Sequence, residues 1–239
     1  MATLISETAA QYRVRPARGN EIGELQNIDL ASASLFRGTG LIDFGPLGEP
    51  TQPIPEDRLR RGFGDELIWV AVDDRDELVG FALCSDRGED LYLDQLSVLP
   101  RHGRQGLGAR LVRRCLQEAE SRAFRRVSLS TFRKVAWNGP FYRKLGFREV
   151  PVWRLQDWQA EIRDLQRSTM DVRLRCFMQR KVKRASELWP SGPCLPCRSS
   201  KSVGRPGSLC EAANTDAPVI APSVASLVPL RPPAPPHPA

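Results

Sequence analysis

Glycines at 103, 106 and 108 stand in a short basic stretch, Arg101-His-Gly-Arg-Gln-Gly-Leu-Gly108, whose spacing suits the binding of a phosphate. Before it runs Tyr92-Leu-Asp-Gln-Leu-Ser-Val-Leu-Pro100, and Pro100 can neither donate to a strand ladder nor continue a helix. From about Leu107 the apolar positions return at helical spacing. Strand, glycine loop and helix N-terminus bring backbone N–H groups and the positive end of the helix to one point. Gly106 and Gly108 carry no Cβ, so an anion reaches the main chain, and Arg101, Arg104 and Arg110 add charge. The order Gly-x-x-Gly-x-Gly is not the dinucleotide fingerprint Gly-x-Gly-x-x-Gly, and the absence of Gly-Lys-Ser/Thr excludes a P-loop. Taken alone, the glycines are explained equally well as a tight strand-to-helix turn.

Two further groups of residues could do chemistry. Asp94 sits in the apolar run, and strict alternation places residues 92, 94, 96 and 98 on one face. A carboxylate among Leu91, Leu93 and Leu96 is costly unless it is paired or faces a cleft. Three roles stay open for it: general base, anchor for a substrate ammonium, and structural ion pair. Downstream, Asn138-Gly-Pro-Phe-Tyr-Arg-Lys-Leu-Gly-Phe147 reads as a capped helix with Asn138 at its start and Gly146 at its end. Trp137, Phe141, Tyr142 and Leu145 are expected to face inward there. Without further context Tyr142 is a core aromatic. His102 is expected to be exposed in the glycine loop and without a catalytic role. Arg133 and Lys134 read equally well as phosphate contacts or as a solvated loop.

Val98-x-Pro100, five residues, then Gly106-x-Gly108-Ala109 opening a helix resembles motif A of the GNAT superfamily of acyl-CoA-dependent N-acetyltransferases. Gly103 departs from that motif, standing where the family usually has Gln or Arg. The stretch from Asn138 to Phe147 is similar to motif B. The resemblance spans roughly residues 12–182. It implies an α/β fold with a mixed, mostly antiparallel sheet of about six or seven strands, splayed at its middle between the strands ending at Val98 and Thr131, with helices on both faces. It implies that Arg104, Gln105, Gly106, Leu107, Gly108 and Ala109 cradle the pyrophosphate of acetyl-CoA. The backbone of Leu96, Ser97 and Val98 would pair with the pantetheine arm, and Asn138 and Lys144 would join the cofactor side. Tyr142 becomes the acid beside the CoA sulfur. Tyr-Leu-Asp-Gln is similar to the Tyr-Leu-Glu-Gly of aminoglycoside-type members, which puts Asp94 near the acceptor, with Tyr92 and Phe36 beside it. The implied reaction moves an acetyl group from acetyl-CoA to a primary amine of a small molecule, peptide or protein, with Asp94 or water as base. A catalytically silent acyl-CoA sensor is the alternative.

The rest of the chain has to position these groups. Its 239 residues and 41% hydrophobic content can build one medium domain with a tail. The net charge is +7, and arginine outnumbers lysine thirty to five, but the arginines alternate with acids along the chain, which argues against a nucleic-acid partner. No apolar run approaches the roughly 18 residues of a membrane span, and Met1 to Ala10 lacks the pattern of a secretory signal, so no membrane and a cytoplasmic location are expected, as a monomer or homodimer. Cys194 and Cys197 form one CxxC without a second pair, and no metal is expected.

Periodicity predicts a strand at 12–15, a helix from Asn20 (its cap) to about Phe36, and a loop over 37–55 holding four glycines and four prolines. A short helix at 55–62 follows, then a hairpin of strands 67–72 and 78–84, and the strand ending at Pro100. The helix from 107 should bury Leu107, Leu111, Val112, Cys115, Leu116, Ala119 and Ala123. A strand at 126–131, a helix around 155–165 and last strands at 147–150 and 170–182 complete an N-acetyltransferase domain over 1–185. Residues 190–239 hold twelve of the twenty prolines and no aromatic residue, so 186–239 is expected to be a disordered tail.

Overall fold

The computed structural model describes residues 12–46, 48–50 and 52–182, so the expected tail lies outside the described residues. The sheet has seven strands: β1 (Arg13–Pro16), β2 (Ile68–Val72), β3 (Leu78–Arg87), β4 (Asp90–Val98), β5 (Arg126–Phe132), β6 (Arg148–Val150) and β7 (Arg175–Lys181). Their spatial order is β1-β2-β3-β4-β5-β7-β6, and every neighbouring pair is antiparallel except β4–β5. In the β2–β3 hairpin Asp73 Oδ1 accepts from Arg75 N and Glu77 N, and in the β3–β4 turn Asp86 Oδ1 accepts from Gly88 N.

Among the described residues five α-helices cover the sheet: α1 (Ile22–Ala33), α2 (Glu56–Gly64), α3 (Leu107–Ser121), α4 (Gly139–Lys144) and α5 (Asp157–Gln166). On one face α3 lays Leu107, Leu111, Val112, Cys115 and Ala119 over Leu91, Leu93, Val127 and Leu129, with Tyr142 and Phe147 closing the same core. On the other face α1 and α2 bury Leu25, Ile28 and Leu59 against Val70, Val72, Phe81 and Leu83, and α5 packs Ile162 on Tyr92 and Phe177. Burying a Leu or Phe side chain in such cores is worth about 1.5–3 kcal/mol.

Two features of β4 shape everything that follows. Its parallel pairing with β5 runs only from Asp90–Arg126 to Leu93–Leu129, so beyond Leu93 the two strands separate as expected. In its ladder with β3, Gln95 opposes Leu83 and Leu93 opposes Cys84, which leaves Asp94 as the extra residue of a β-bulge. A bulge reverses the alternation. Leu91 and Leu93 therefore share the α3 face with Leu96 and Val98, while Tyr92 belongs to the opposite core. The expected common face for 92, 94, 96 and 98 is corrected by this single inserted residue.

Smaller corrections have equally local causes. The last strand starts at Arg175 and not at 170, because a 3-10 turn over Val172–Leu174 precedes it, with Asp171 accepting from Arg173 N. Asn20 does not cap α1; the Glu21 carboxylate instead accepts from Arg18 N at 2.7 Å. α3 stops at Ser121, and Ala123 turns out to solvent with a φ of +61°. Trp137 is half exposed, at the rim of the splay rather than inside.

Candidate active site

The separation of β4 from β5 opens a cleft of about 890 Å³ through the sheet. Its floor on the α3 side is the glycine loop. Arg104 and Gly106 both hold positive φ, +59° and +78°, and Gly106 is the N-cap of the fifteen-residue helix α3. Backbone N–H groups arranged this way make an anion-binding concavity, reinforced by the helix dipole. A Cβ at Gly106 would meet nothing within 4 Å, so the loop is open towards the cleft. At Gly108 a Cβ would meet Phe141 at 3.4 Å and Leu96 at 3.8 Å, so this glycine lets α3 and α4 approach at the cleft.

Most of the residues singled out from the sequence converge here. Leu96, Val98, Arg104, Gly106, Leu107, Gly108, Ala109, Asn138, Tyr142, Lys144, Asp94 and Phe36 all line the cleft. Three do not. Gln105 is exposed on the outer side of the loop. Ser97 is buried towards α1, accepting from Ser32 Oγ at 2.9 Å. Tyr92 is buried edge-on to Trp158, with ring centroids 5.2 Å apart, and burial holds its phenol well above its ordinary value. Tyr92 is thus core beneath α5, packed with Phe177 and Ile162, and does not reach the cleft. His102 is half-buried at the cleft wall, contrary to expectation, with Nδ1 2.9 Å from the Tyr12 hydroxyl.

Tyr142 stands on α4 between Phe141 and Phe147, at ring distances of 4.9 and 5.7 Å. Burial pushes its phenol well above the ordinary value, so it is a neutral donor at any physiological pH. None of the hydrogen bonds among the described residues engages its hydroxyl. Asn138 occupies the N-cap position of α4 without making a side-chain cap, and its Nδ2 is buried with no acceptor among the described residues. A buried orphan donor facing a cleft is a place for a ligand carbonyl or phosphate oxygen.

The opposite wall holds what the sequence did not reveal. Arg58 of α2 pairs with Asp94 Oδ1, both side chains being almost entirely buried, while Asp94 Oδ2 has no hydrogen-bond partner among the described residues. Beside them Asp29 of α1 accepts from Ile54 N at 3.0 Å, Gln95 Nε2 at 2.7 Å and Ser97 Oγ at 3.4 Å. Desolvation outweighs these bonds and pushes the Asp29 carboxyl up to about 7. Asp29 and Arg58 gave no signal in the sequence, since a lone acid in an amphipathic helix reads as a solvated face. Asp29 is buried only when Ile54, Gln95 and Ser97 close around it in the fold.

This burial has a measurable consequence. The folded state holds Asp29 protonated to higher pH than the unfolded chain does, so the stability it contributes is complete below about pH 4 and is lost as pH rises to about 7. The stability difference between wild type and Asp29→Asn should therefore fall over that window, by at most about 1.4 kcal/mol per pH unit. Denaturant unfolding of both proteins from pH 4 to 8 measures it. A difference that stays flat would mean Asp29 ionises as easily in the fold as outside it.

Among the described residues no helix is long and apolar enough to cross a membrane, and no group of His, Cys, Asp or Glu could hold a metal ion. Residues 37–147 match the model of the acetyltransferase (GNAT) family. The fold is shared with the ribosomal-protein-S18-alanine N-acetyltransferase of Escherichia coli at 16% identity, covering 75% of this chain and 99% of that one with a TM-score of 0.52. It is shared with the PaiA N-acetyltransferase of Thermoplasma acidophilum in complex with coenzyme A, at 12% identity, 72% and 99% coverage and a TM-score of 0.54. A GNAT superfamily phosphinothricin acetyltransferase of Sinorhizobium meliloti in complex with AcCoA matches at 17% identity, 73% and 91% coverage and a TM-score of 0.51. The glycine loop, the splayed sheet and helix α4 thus lie within one shared fold, and residues 37–147 belong to the acetyltransferase (GNAT) family.

Proposed function

We propose that the protein transfers the acetyl group of acetyl-CoA to a primary amine that enters from the α1–α2 side of the cleft. The observation that carries this reading is the meeting of an open β4 edge with an anion-binding helix N-terminus in one cleft. The loop 104–109 and Lys144 hold the pyrophosphate, and Asn138 Nδ2 supplies a further donor. Beyond Leu93, β4 has lost β5 as a partner, and the pantetheine arm takes that place as an added strand.

The amine nitrogen attacks the thioester carbonyl carbon, the N–C bond forms, and the oxyanion is met by backbone N–H near Val98. When the C–S bond breaks, Tyr142 gives its proton to the departing thiolate, and the extra proton on the new amide nitrogen passes through water to restore the phenol. The amine arrives as an ammonium and loses its proton to Asp94 or to a water beside it. Asp94 Oδ2, buried and without a partner, is the acceptor that such a donor would satisfy. Because Arg58 already neutralises Oδ1, the anchoring role is favoured over that of a strong base.

Release of CoA from acetyl-CoA, followed while primary amines, amino acids and peptides are offered in turn, tests the reading. An acceptor should also expose the role of Asp94. In Asp94→Asn the KM for the amine should rise about 10- to 100-fold with kcat nearly held, the loss of a hydrogen bond to a charged group. Disappearance of the acidic limb of kcat/KM would instead make Asp94 the base. The absence of CoA release with every amine, together with no binding of acetyl-CoA, would overturn the assignment.

A further inference from the structure

Arg175, at the start of β7, is 5% exposed and lines the cleft. Its Nε donates to Gln166 Oε1 at 3.0 Å and to Ser130 Oγ at 3.3 Å, its Nη2 donates to Ser130 Oγ at 3.1 Å, and its guanidinium lies 4.8 Å from the Phe132 ring centre. These partners are all neutral. Arg58, the buried arginine behind Asp94, has a carboxylate; Arg175 has none within ion-pair distance among the described residues, and none of the hydrogen bonds found there engages its Nη1. An unpaired buried guanidinium is expensive, and its desolvation lowers its affinity for the proton to about 10. A ligand anion would remove that cost.

The sheet register says which ligand could bring one. Arg175 opposes Phe132, and Ser130 opposes Phe177, so Ser130, Phe132, Phe177 and Arg175 share one face of β5 and β7. It is the face that carries α1 and α5, away from the glycine loop. Across the splay on the same side stand Asp94 and Asp29. An acceptor lying over the gap thus meets carboxylates on the β4 wall and an unpaired guanidinium on the β5–β7 wall.

We infer that Arg175 anchors a carboxylate of the acceptor, so that the substrates are amines that carry a carboxylate, such as free amino acids, rather than the N-termini of peptides or simple alkylamines. The inference rests on the acetyl transfer proposed above. A guanidinium presents paired N–H donors that match a carboxylate and are wasted on a carboxamide. Arg175 is a specificity residue in this account, touching the acceptor and not the reacting atoms.

The test uses acceptors that differ only at that group: free amino acids against their α-carboxamides, and glutamate against glutamine, with acetyl-CoA as donor. Wild type should prefer the best carboxylate acceptor over its carboxamide by about 10- to 100-fold in kcat/KM. Arg175→Gln should bring that ratio close to one by raising KM for the acid, with KM for acetyl-CoA unchanged, and Arg175→Lys should lie between. Equal use of acid and carboxamide by wild type overturns the inference, as does an unchanged preference in Arg175→Gln. Should Arg175→Gln fail to fold, the wild-type ratio and Arg175→Lys decide it. If acetyl-CoA raises the melting temperature but no member of either set is acetylated, this inference falls alone. If acetyl-CoA does not bind, the acetyl-transfer reading itself falls.

Discussion

Placing glutamate at both Gly106 and Gly108 is expected to abolish the thermal stabilisation that acetyl-CoA gives the wild-type protein. At about 100 times its dissociation constant a ligand adds about 2.7 kcal/mol to stability, which for a domain of this size raises the melting temperature by roughly 5–10 °C. Gly106 faces open space at the N-terminus of α3, so a side chain there enters the volume the pyrophosphate would fill. Its φ of +78° adds about 1–2 kcal/mol of strain in the unliganded protein. At Gly108 a longer side chain would be driven past Phe141 and Leu96 into the cleft. Two carboxylates would also repel the phosphates and cancel the favourable end of the helix. The variant should melt a few degrees below wild type without ligand and show no rise with it. A wild-type response would mean that the cofactor phosphates bind elsewhere.

Tyr142→Phe should lower kcat by about 100-fold while leaving KM for acetyl-CoA nearly unchanged, within the range that general-acid catalysis supplies. The ring is what packs: its contacts with Phe141 and Phe147 do not involve the hydroxyl, so the fold should tolerate the change. The hydroxyl is held neutral by burial and has no partner among the described residues, so a proton is available for the thiolate. Because deprotonation of the phenol is displaced upward, the wild-type rate should not fall from this group as pH rises through the ordinary tyrosine range. Turnover equal to wild type in the phenylalanine variant would reduce Tyr142 to a packing residue and leave the thiolate to be protonated by water.

The glycine-loop side of the cleft was legible in the sequence because its features are local. Gly106 is required by a backbone conformation that other residues rarely adopt, Pro100 ends a strand, and the period of α3 from Leu107 to Ala119 declares which side is buried. Such features need only neighbours within a turn or two of chain. The order of elements, the central splay and the place of Tyr142 on a helix after β5 follow from the same short-range signals, taken together with the two motifs.

The opposite wall of the cleft was not legible, and the reason is geometric. Asp94 was visible as a misplaced acid, but its partner Arg58 is 36 residues away and its exit from the alternating pattern depends on one bulged residue against β3. That bulge put Leu91 and Leu93 on the same face as Leu96 and Val98, while α5 covers Tyr92. Asp29 is an ordinary helix acid until Ile54 closes over it. Arg175 is one of thirty arginines, and only the fold, which pairs β5 with β7, leaves it without a carboxylate within ion-pair distance among the described residues. The sequence by itself determined the fold and the glycine loop at the start of α3, because backbone conformation and hydrophobic period are written in adjacent residues. Which charges stand unpaired at the cleft was decided by the tertiary structure alone, because pairing and desolvation depend on residues that meet only when the chain is folded.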